Sequence, residues 1–381
     1  MYLADPAAPR LLLGLSSGTS ADALDLALVR VVGQGGSRTI AVLHGAERPI
    51  PAELRVRIHG AGALRAAGLA ALHFELGRCF GQLAREFLEQ YGVASSAIAA
   101  AGSHGQTVFH HDGAPQAGTL QLGDAAVIAA ELHAPVVADF RWSDLAAGGQ
   151  GAPVSPFADW IRHRHAAPRL AILNLGGIGN LTLLEGDADP RAWDTGPANA
   201  PLDGLVRRRT GAACDVDGLM ALAGRVRKDL LTVLVAEPWF ARPLPRSAGL
   251  ERFGGPLVDR IEAFRPAVGL EDGLATLVEL AAWAVAASLR GSGWQGGSVH
   301  PCGGGARNPA LVAALQRHLQ DLPGTQVRPY AELGADPDLR EAVAFALLAD
   351  AFLMGEASSW PSTTGAARPC RLGRWVPAPL P

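Results

Sequence analysis

At 381 residues the chain is longer than one hydrophobic core usually serves, so two domains are expected. Hydrophobic residues make up 49% and charged residues 18%, which excludes a disordered chain, and a net charge of −3 argues against a nucleic-acid partner. Lys228 is the only lysine and stands in Arg-Val-Arg-Lys-Asp, so neither a Walker A loop nor the strand lysine of a protein kinase can be built here.

Cys79, Cys214, Cys302 and Cys370 are scattered and fit a reducing cytosol. The apolar run after Arg10 is too short for a signal sequence. The most apolar late stretch, 274–289, carries Glu279 and falls short of the roughly 20 residues that span a bilayer. A cytoplasmic protein without a membrane partner is the expectation.

In chain order, Leu11 to Leu15 reads as a buried strand, Ser16 to Ala23 as a polar turn, and Leu24 to Val29 as a returning strand. Two helices are expected over 51–64 and 66–91. In the second, Leu72, Leu76, Phe80, Leu83 and Phe87 form one apolar stripe. A strand over 98–102 delivers the polar loop Ser103-His104-Gly105-Gln106-Thr107, placed where ligands collect in α/β sheets. His104, His110, His111 and Asp112 match no structural zinc spacing. A strand (120–122), a helix (124–132) and a strand (135–139) follow. Arg141 and Asp144 read equally well as an exposed ion pair or as a substrate clamp, and 147–153 reads as a glycine-rich loop.

The stretch 171–203 repeats the logic of the first hairpin. One apolar run, 171–175, enters a turn of Gly176, Gly177, Ile178, Gly179 and Asn180, and another, 181–184, leaves it. Asp194 then falls in Asp-Thr-Gly-Pro-Ala-Asn and is expected in a tight turn. Such tips offer backbone N–H groups to phosphate oxygens, and an oriented carboxylate can serve as a base. The hairpins lie roughly 160 residues apart and each opens one half of the chain, which points to two related domains facing a cleft. Beyond them, 238–255 is a long irregular segment with Arg242, Arg246 and Arg252, and 275–289 is a buried helix. Gly303, Gly304 and Gly305 sit between a strand and a helix, where glycine admits close approach of a ring or phosphate. An apolar helix over 338–354 carries Arg340 and Glu341, and a last strand is expected around 370–372.

These motifs, in this order, resemble the anhydro-N-acetylmuramic acid kinase family of the actin/hexokinase/Hsp70-like ATPase superfamily. The matching segments are 18–25, 103–107, 121–124, 138–141, 146–153, 174–182, 194–199, 302–306 and 341–346. The resemblance implies an α/β, two-lobed actin-like ATPase fold with ribonuclease H-like duplicated domains and an inter-lobe active-site cleft. Residues 1–168 with 337–381 would form one lobe and 169–336 the other. It implies ATP and Mg²⁺ as cofactors, a small-molecule 1,6-anhydro sugar as substrate, and a homodimer. The nucleotide would be bound by Gly18, Thr19, Ser20, Ala21, Asp22, Ala23, Leu24, Asp25, Gly176, Gly177, Asn180, Gly303, Gly304 and Gly305, with Asp22 also toward the metal. Asp194 matches the catalytic aspartate, while His104, Gln106, Arg141 and Glu341 would position the sugar.

The chain departs from the family pattern at Ser16 (usually methionine), Ala23 and Ala198 (usually glycine), Arg307 (commonly histidine) and the segment 243–249. If Ala23 needs a positive φ, alanine there costs about 1 kcal/mol. Two rival readings remain: a kinase for levoglucosan, and a non-catalytic nucleotide- or muropeptide-binding sensor. Arg141 and Arg246 are candidates for the lactyl carboxylate that levoglucosan lacks.

Overall fold

The structure is a computed structural model that describes residues 4–18, 20–110 and 118–379; Thr19, His111 and Asp112 lie outside the described residues. The chain divides into two compact units, Met1–Arg162 with Asp338–Pro381, and His163–Pro337. The first holds β1 (Arg10–Ser16), β2 (Ala23–Val32), β3 (Thr39–Pro49), β4 (Ile98–Ser103), β5 (Gln106–His110), β6 (Thr119–Leu122) and β7 (Val136–Ala138). The second holds β8 (Leu170–Leu175), β9 (Ile178–Leu184), β10 (Arg191–Pro197), β11 (Gly297–Cys302) and β12 (Thr325–Val327). The last strand, β13 (Arg374–Val376), returns to the first unit.

Both sheets have the same plan. In the first, β3-β2-β1-β4-β7 is extended by β13; in the second the order is β10-β9-β8-β11-β12. In each, the first three strands run antiparallel to their neighbours and the next two join the first in parallel. Three antiparallel strands followed by parallel crossovers thus occur twice in one chain, so the α/β plan is duplicated. β5 and β6 form a separate two-stranded sheet.

The sequence does not foretell β3. It is an edge strand of 11 residues with no fully buried residue, so it lacks the clean alternation that marks a half-buried strand. By contrast the Ala66–Gln90 helix follows its apolar stripe, with Leu72, Leu76, Phe80 and Phe87 buried in the core.

The Arg340–Leu353 helix lies directly on β1 and β4. A Cβ added at Gly14 would collide with the Ala342 carbonyl, and one at Gly102 with the Phe345 carbonyl. Two glycines therefore allow backbone to meet backbone. The helix is also tied to the start of β1: Asp350, fully buried, takes Arg10 Nε at 2.7 Å and Arg38 Nε at 2.7 Å. Arg340, in the first turn of that helix, is buried and paired with Asp159.

The Leu270–Gly291 helix is longer than the sequence implies, 22 residues, long and apolar enough to cross a bilayer. Fourteen of its residues are instead buried in the second unit, from Gly273 to Leu289. It is that unit's central core helix.

Other boundaries move. The second hairpin's tip shrinks to Gly176 and Gly177, with Ile178, Gly179 and Asn180 already in β9. The loop after β4 is only His104 and Gly105. The terminal strand is 374–376, while Cys370 makes an isolated bridge to Ser359. The exposed-pair reading of Arg141 and Asp144 fails: Asp144 is 1% exposed and accepts from Gly151 N, Ser359 Oγ and Thr364 Oγ1. It braces the 147–153 loop rather than facing solvent.

Candidate active site

In the first unit the site residues gather at the C-terminal end of β1. Ladder pairing places Ser16 beside Asp25, and Asp25 beside Glu47, so three side chains share one face at one level of the sheet. The helix resting on Gly14 brings Glu341 to the same place, where Ser16 Oγ donates to Glu341 Oε2 at 3.1 Å. Burial pushes the Asp25 carboxyl up to about 7, reinforced by the negative charges of Glu341, Glu47 and Asp338. The cluster is therefore short of positive charge.

The tip itself spans residues 17–22. Ser17 Oγ donates to Gln106 Oε1 at 2.6 Å, and Gln106 Nε2 donates to the Gly18 carbonyl at 3.1 Å, so Gln106 is buried with both amide ends on the tip. Asp22 projects outward, 66% exposed, with Arg55 Nη1 at 3.4 Å. Ser20 is also exposed, whereas Leu24 is buried in the core and has only its backbone to offer a ligand. The penalty expected at Ala23 falls elsewhere: Ala23 opens β2, and the positive φ of 56° belongs to Ala21.

His104 follows β4 and stacks on Phe345 with ring centroids 4.6 Å apart. Arg141 Nε and Nη2 approach its Nε2 at 3.2 and 3.1 Å, and Arg141 Nη1 donates to the Gly151 carbonyl at 2.8 Å. Burial, then Arg141 and His110, hold the imidazole well below its usual range, so it is neutral. Accepting at Nε2 places the proton on Nδ1, a buried atom without a hydrogen-bond partner among the described residues.

In the second unit the ladder aligns Asn174, Asn180 and Asp194 across β8, β9 and β10. Asp194 is not in a tight turn. It lies within β10, beside a bulge before Gly196 that bends the strand end. The residue is 7% exposed, and its Oδ2 accepts from Ala248 N at 2.7 Å. Its own N–H donates to the Arg246 carbonyl at 2.8 Å.

The glycine tip is fixed by the start of the Asn199–Thr210 helix. Asn199 Nδ2 donates to the Leu175 carbonyl at 2.9 Å, Asn199 N to Gly176 O at 3.0 Å, and Ala198 N and Ala200 N to Gly177 O at 3.2 and 3.1 Å. In a trans peptide the next N–H points opposite to the carbonyl. With the Leu175 and Gly176 carbonyls aimed at the helix, the amides of Gly176 and Gly177 are turned away from it, as an anion site requires.

The triple glycine closes on the same hairpin end, because β11 runs beside β8 with Cys302 opposite Asn174. A Cβ at Gly303 would stand 2.5 Å from Asn174 Oδ1, and one at Gly305 2.7 Å from Leu175 Cβ. Gly304 has only Asn199 Nδ2 near it, at 3.5 Å. This is a backbone cradle that side chains would fill, and it fits a nucleotide.

Sequence reasoning misses Glu47 and Asp338 around Asp25 and Ala248 in the second unit. It gives Ser16 only as a departure from the family pattern, and Asn174 and Asn199 only as members of matching segments, none of the three as a site residue. Glu47 sits on β3, and Ala248 acts through its backbone, which leaves no mark in a sequence. Arg246, a candidate for the lactyl carboxylate, is 6% exposed and donates through Nη1 to main-chain carbonyls. Among the described residues, no group of three or more His, Cys, Asp or Glu side chains is set to hold a metal ion. Mg²⁺ does not need one, since it commonly binds through one or two carboxylates plus phosphates and water. The exposed Asp22 carboxylate fits that pattern.

Residues 10–378 match the family described as anhydro-N-acetylmuramic acid kinase. A protein of that name from Xanthomonas axonopodis pv. citri (strain 306) is 44% identical, covering 97% of this chain and 98% of its own. Another, from Bordetella pertussis (strain Tohama I), is 44% identical and covers 97% and 96%. Among solved structures, the activator of the 2-hydroxyisocaproyl-CoA dehydratase from Clostridium difficile with bound ADPNP aligns at TM-score 0.43. It shares 12% identity over 91% of this chain and 96% of that one, a likeness too loose to bear on function. The chain belongs to the anhydro-N-acetylmuramic acid kinase family.

Proposed function

From that membership, we propose that the chain is an ATP-dependent sugar kinase that opens 1,6-anhydro-N-acetylmuramic acid with water and phosphorylates O6. The products are N-acetylmuramic acid 6-phosphate and ADP, and the reaction serves cell-wall recycling. The observation that carries this reading is Asp194. It is a buried carboxylate held by a backbone amide, in register with Asn180 and Asn174 below a glycine tip whose amides are turned outward.

In this mechanism Asp194 takes a proton from water as the water oxygen bonds to the anomeric carbon. The bond from that carbon to O6 breaks, and O6 takes the γ-phosphoryl group as ADP leaves. Attack from the far face inverts the anomeric centre, as in inverting glycosidases. The amides of Gly176 and Gly177, the Gly303 to Gly305 cradle and the 18–25 tip hold the phosphates and adenosine. Catalysis of such a transfer is mainly positioning and charge neutralisation, and needs no lysine. Mg²⁺, held through Asp22 and the phosphates, would neutralise developing charge. His104, through Nδ1–H, Arg141 and Glu341 orient the sugar, while Gln106 fixes the tip. The enzyme works in the cytoplasm as a homodimer, a state that sedimentation measures directly.

A coupled ADP-release assay tests the reading. ADP is expected only when 1,6-anhydro-N-acetylmuramic acid is added with ATP and Mg²⁺. Turnover of levoglucosan alone would overturn the substrate, and nucleotide binding without turnover of either sugar would overturn the activity.

A further inference from the structure

The irregular stretch between the Pro238–Ala241 turn and the Leu250–Phe253 helix holds Asp194 in place. Its centre is Arg246. The guanidinium lies 4.3 Å over the Trp239 ring, and Nη1 donates to the carbonyls of Phe240 at 2.6 Å, Arg242 at 3.2 Å and Trp239 at 3.4 Å. Trp239 Nε1 in turn donates to the Ser247 carbonyl at 3.0 Å. Residues 246 and 247 are thus bound to 239–242 from both directions. From this fixed backbone come two contacts to Asp194, the Arg246 carbonyl accepting its N–H at 2.8 Å and the Ala248 N–H donating to Oδ2 at 2.7 Å.

We propose that Arg246 is a positioning residue for Asp194. By locking the 246–248 backbone it fixes the Ala248 amide that orients the carboxylate. Nη1 is committed to main-chain carbonyls, which is the part of the fork that locks the strap. Nε is buried without a hydrogen-bond partner among the described residues, and KM for the sugar decides whether it meets a ligand. The inference rests on the kinase reading for its catalytic part, and on geometry alone for the strap.

The test uses the full chain with Arg246→Gln, Arg246→Lys and Ala248→Pro, each made in the parent and in Asp194→Asn. The proline variant deletes the Ala248 N–H that reaches the carboxylate, while lysine keeps the charge and loses the planar fork. In the parent, Arg246→Gln and Ala248→Pro are expected to lower kcat about 100-fold with both KM values within about twofold, and Arg246→Lys to recover part of the loss. In Asp194→Asn none of them lowers kcat further, because the effect passes through that carboxylate. Amide exchange at Ala248 speeds up at least about tenfold in Arg246→Gln. Three results overturn the proposal: a raised KM for the lactyl-bearing sugar with kcat unchanged, losses that multiply in Asp194→Asn, or unchanged exchange at Ala248. A parent that releases no ADP with either anhydro sugar refutes the kinase reading separately; the exchange measurement needs no turnover and then decides the strap by itself.

Discussion

The two hairpins occupy the same place in two sheets of the same plan, yet they are built for opposite tasks. At the end of β1 and β2 the ladder row is Ser16, Asp25 and Glu47, with Glu341 added by a helix. At the end of β8 and β9 the equivalent row is Asn174, Asn180 and Asp194. The first row gathers carboxylates and is poor in donors; the second has amides and one carboxylate fixed by a backbone N–H. The first row therefore favours cations and hydroxyl donors, whereas the second can both donate to and accept from a ligand. A duplicated scaffold sets where side chains stand, while the residue types at equivalent rungs decide the chemistry.

Asp194→Asn attacks the comparison at its strongest point. It is expected to lower kcat by about 10²–10⁴-fold while nucleotide affinity stays within about twofold, read by steady-state kinetics and calorimetric titration. Equal loss of both would mean that the second row has no division between phosphate and water.

Gly14→Ala tests how the first row is assembled. A methyl there meets the Ala342 carbonyl, so a loss of about 3 kcal/mol is expected in denaturant unfolding. Unchanged stability would show that the helix bearing Glu341 does not need backbone contact with β1.

Asp25→Asn probes the charge of that row. Folding raises the Asp25 pKa from 3.8 to about 7, so between those values the folded chain holds a proton that the unfolded chain has lost. Stability should therefore fall as pH rises through that window. The asparagine variant is expected to be more stable than the parent at pH 8 by about 2 kcal/mol, after allowance for solvent screening. Thermal unfolding at pH 5 and pH 8 reads this directly, and equal pH slopes in the two proteins would refute it.

The smallest effect separates the tips. Gly303→Ala forces a side chain into a φ of 75° and against Asn174, and should weaken nucleotide binding about tenfold. Gly18→Ala meets nothing nearer than Ser20 Oγ at 3.9 Å and should change binding less. The reverse ranking would place the backbone-dependent tip in the first unit.

Elements whose residues alternate or recur with one period are legible in the sequence. β1 and β8 are buried on both faces and read as continuous apolar runs, β2 is mostly buried, and the Ala66–Gln90 helix buries one stripe; in each, burial is written into the residue types. β3 is not legible because both of its faces are partly wet. β10 is hidden by Asp-Thr-Gly-Pro, residues that favour turns but here end a strand at a bulge. The terminal strand is expected too early because Cys370 and Leu372 are buried, although Gly373, with φ 105°, stands between them and the real strand. Within the site, Asp194 and the glycine turn can be picked out. The ladder rows and the strap cannot, since they join residues about 10 to 330 positions apart through register and main-chain bonds.

The helix that rests on Gly14 and Gly102 has a consequence for synthesis. The first unit begins at the N-terminus, but its central strands meet this helix only after residue 353 has been made. The second unit, His163–Pro337, is one continuous segment and is made before the helix emerges. The order of folding is thus expected to run against the order of translation, with the first-made strands waiting uncovered for the last-made helix. Pulse proteolysis of ribosome-held chains ending after Pro337 should find the second unit protected and β1 and β4 open to cleavage.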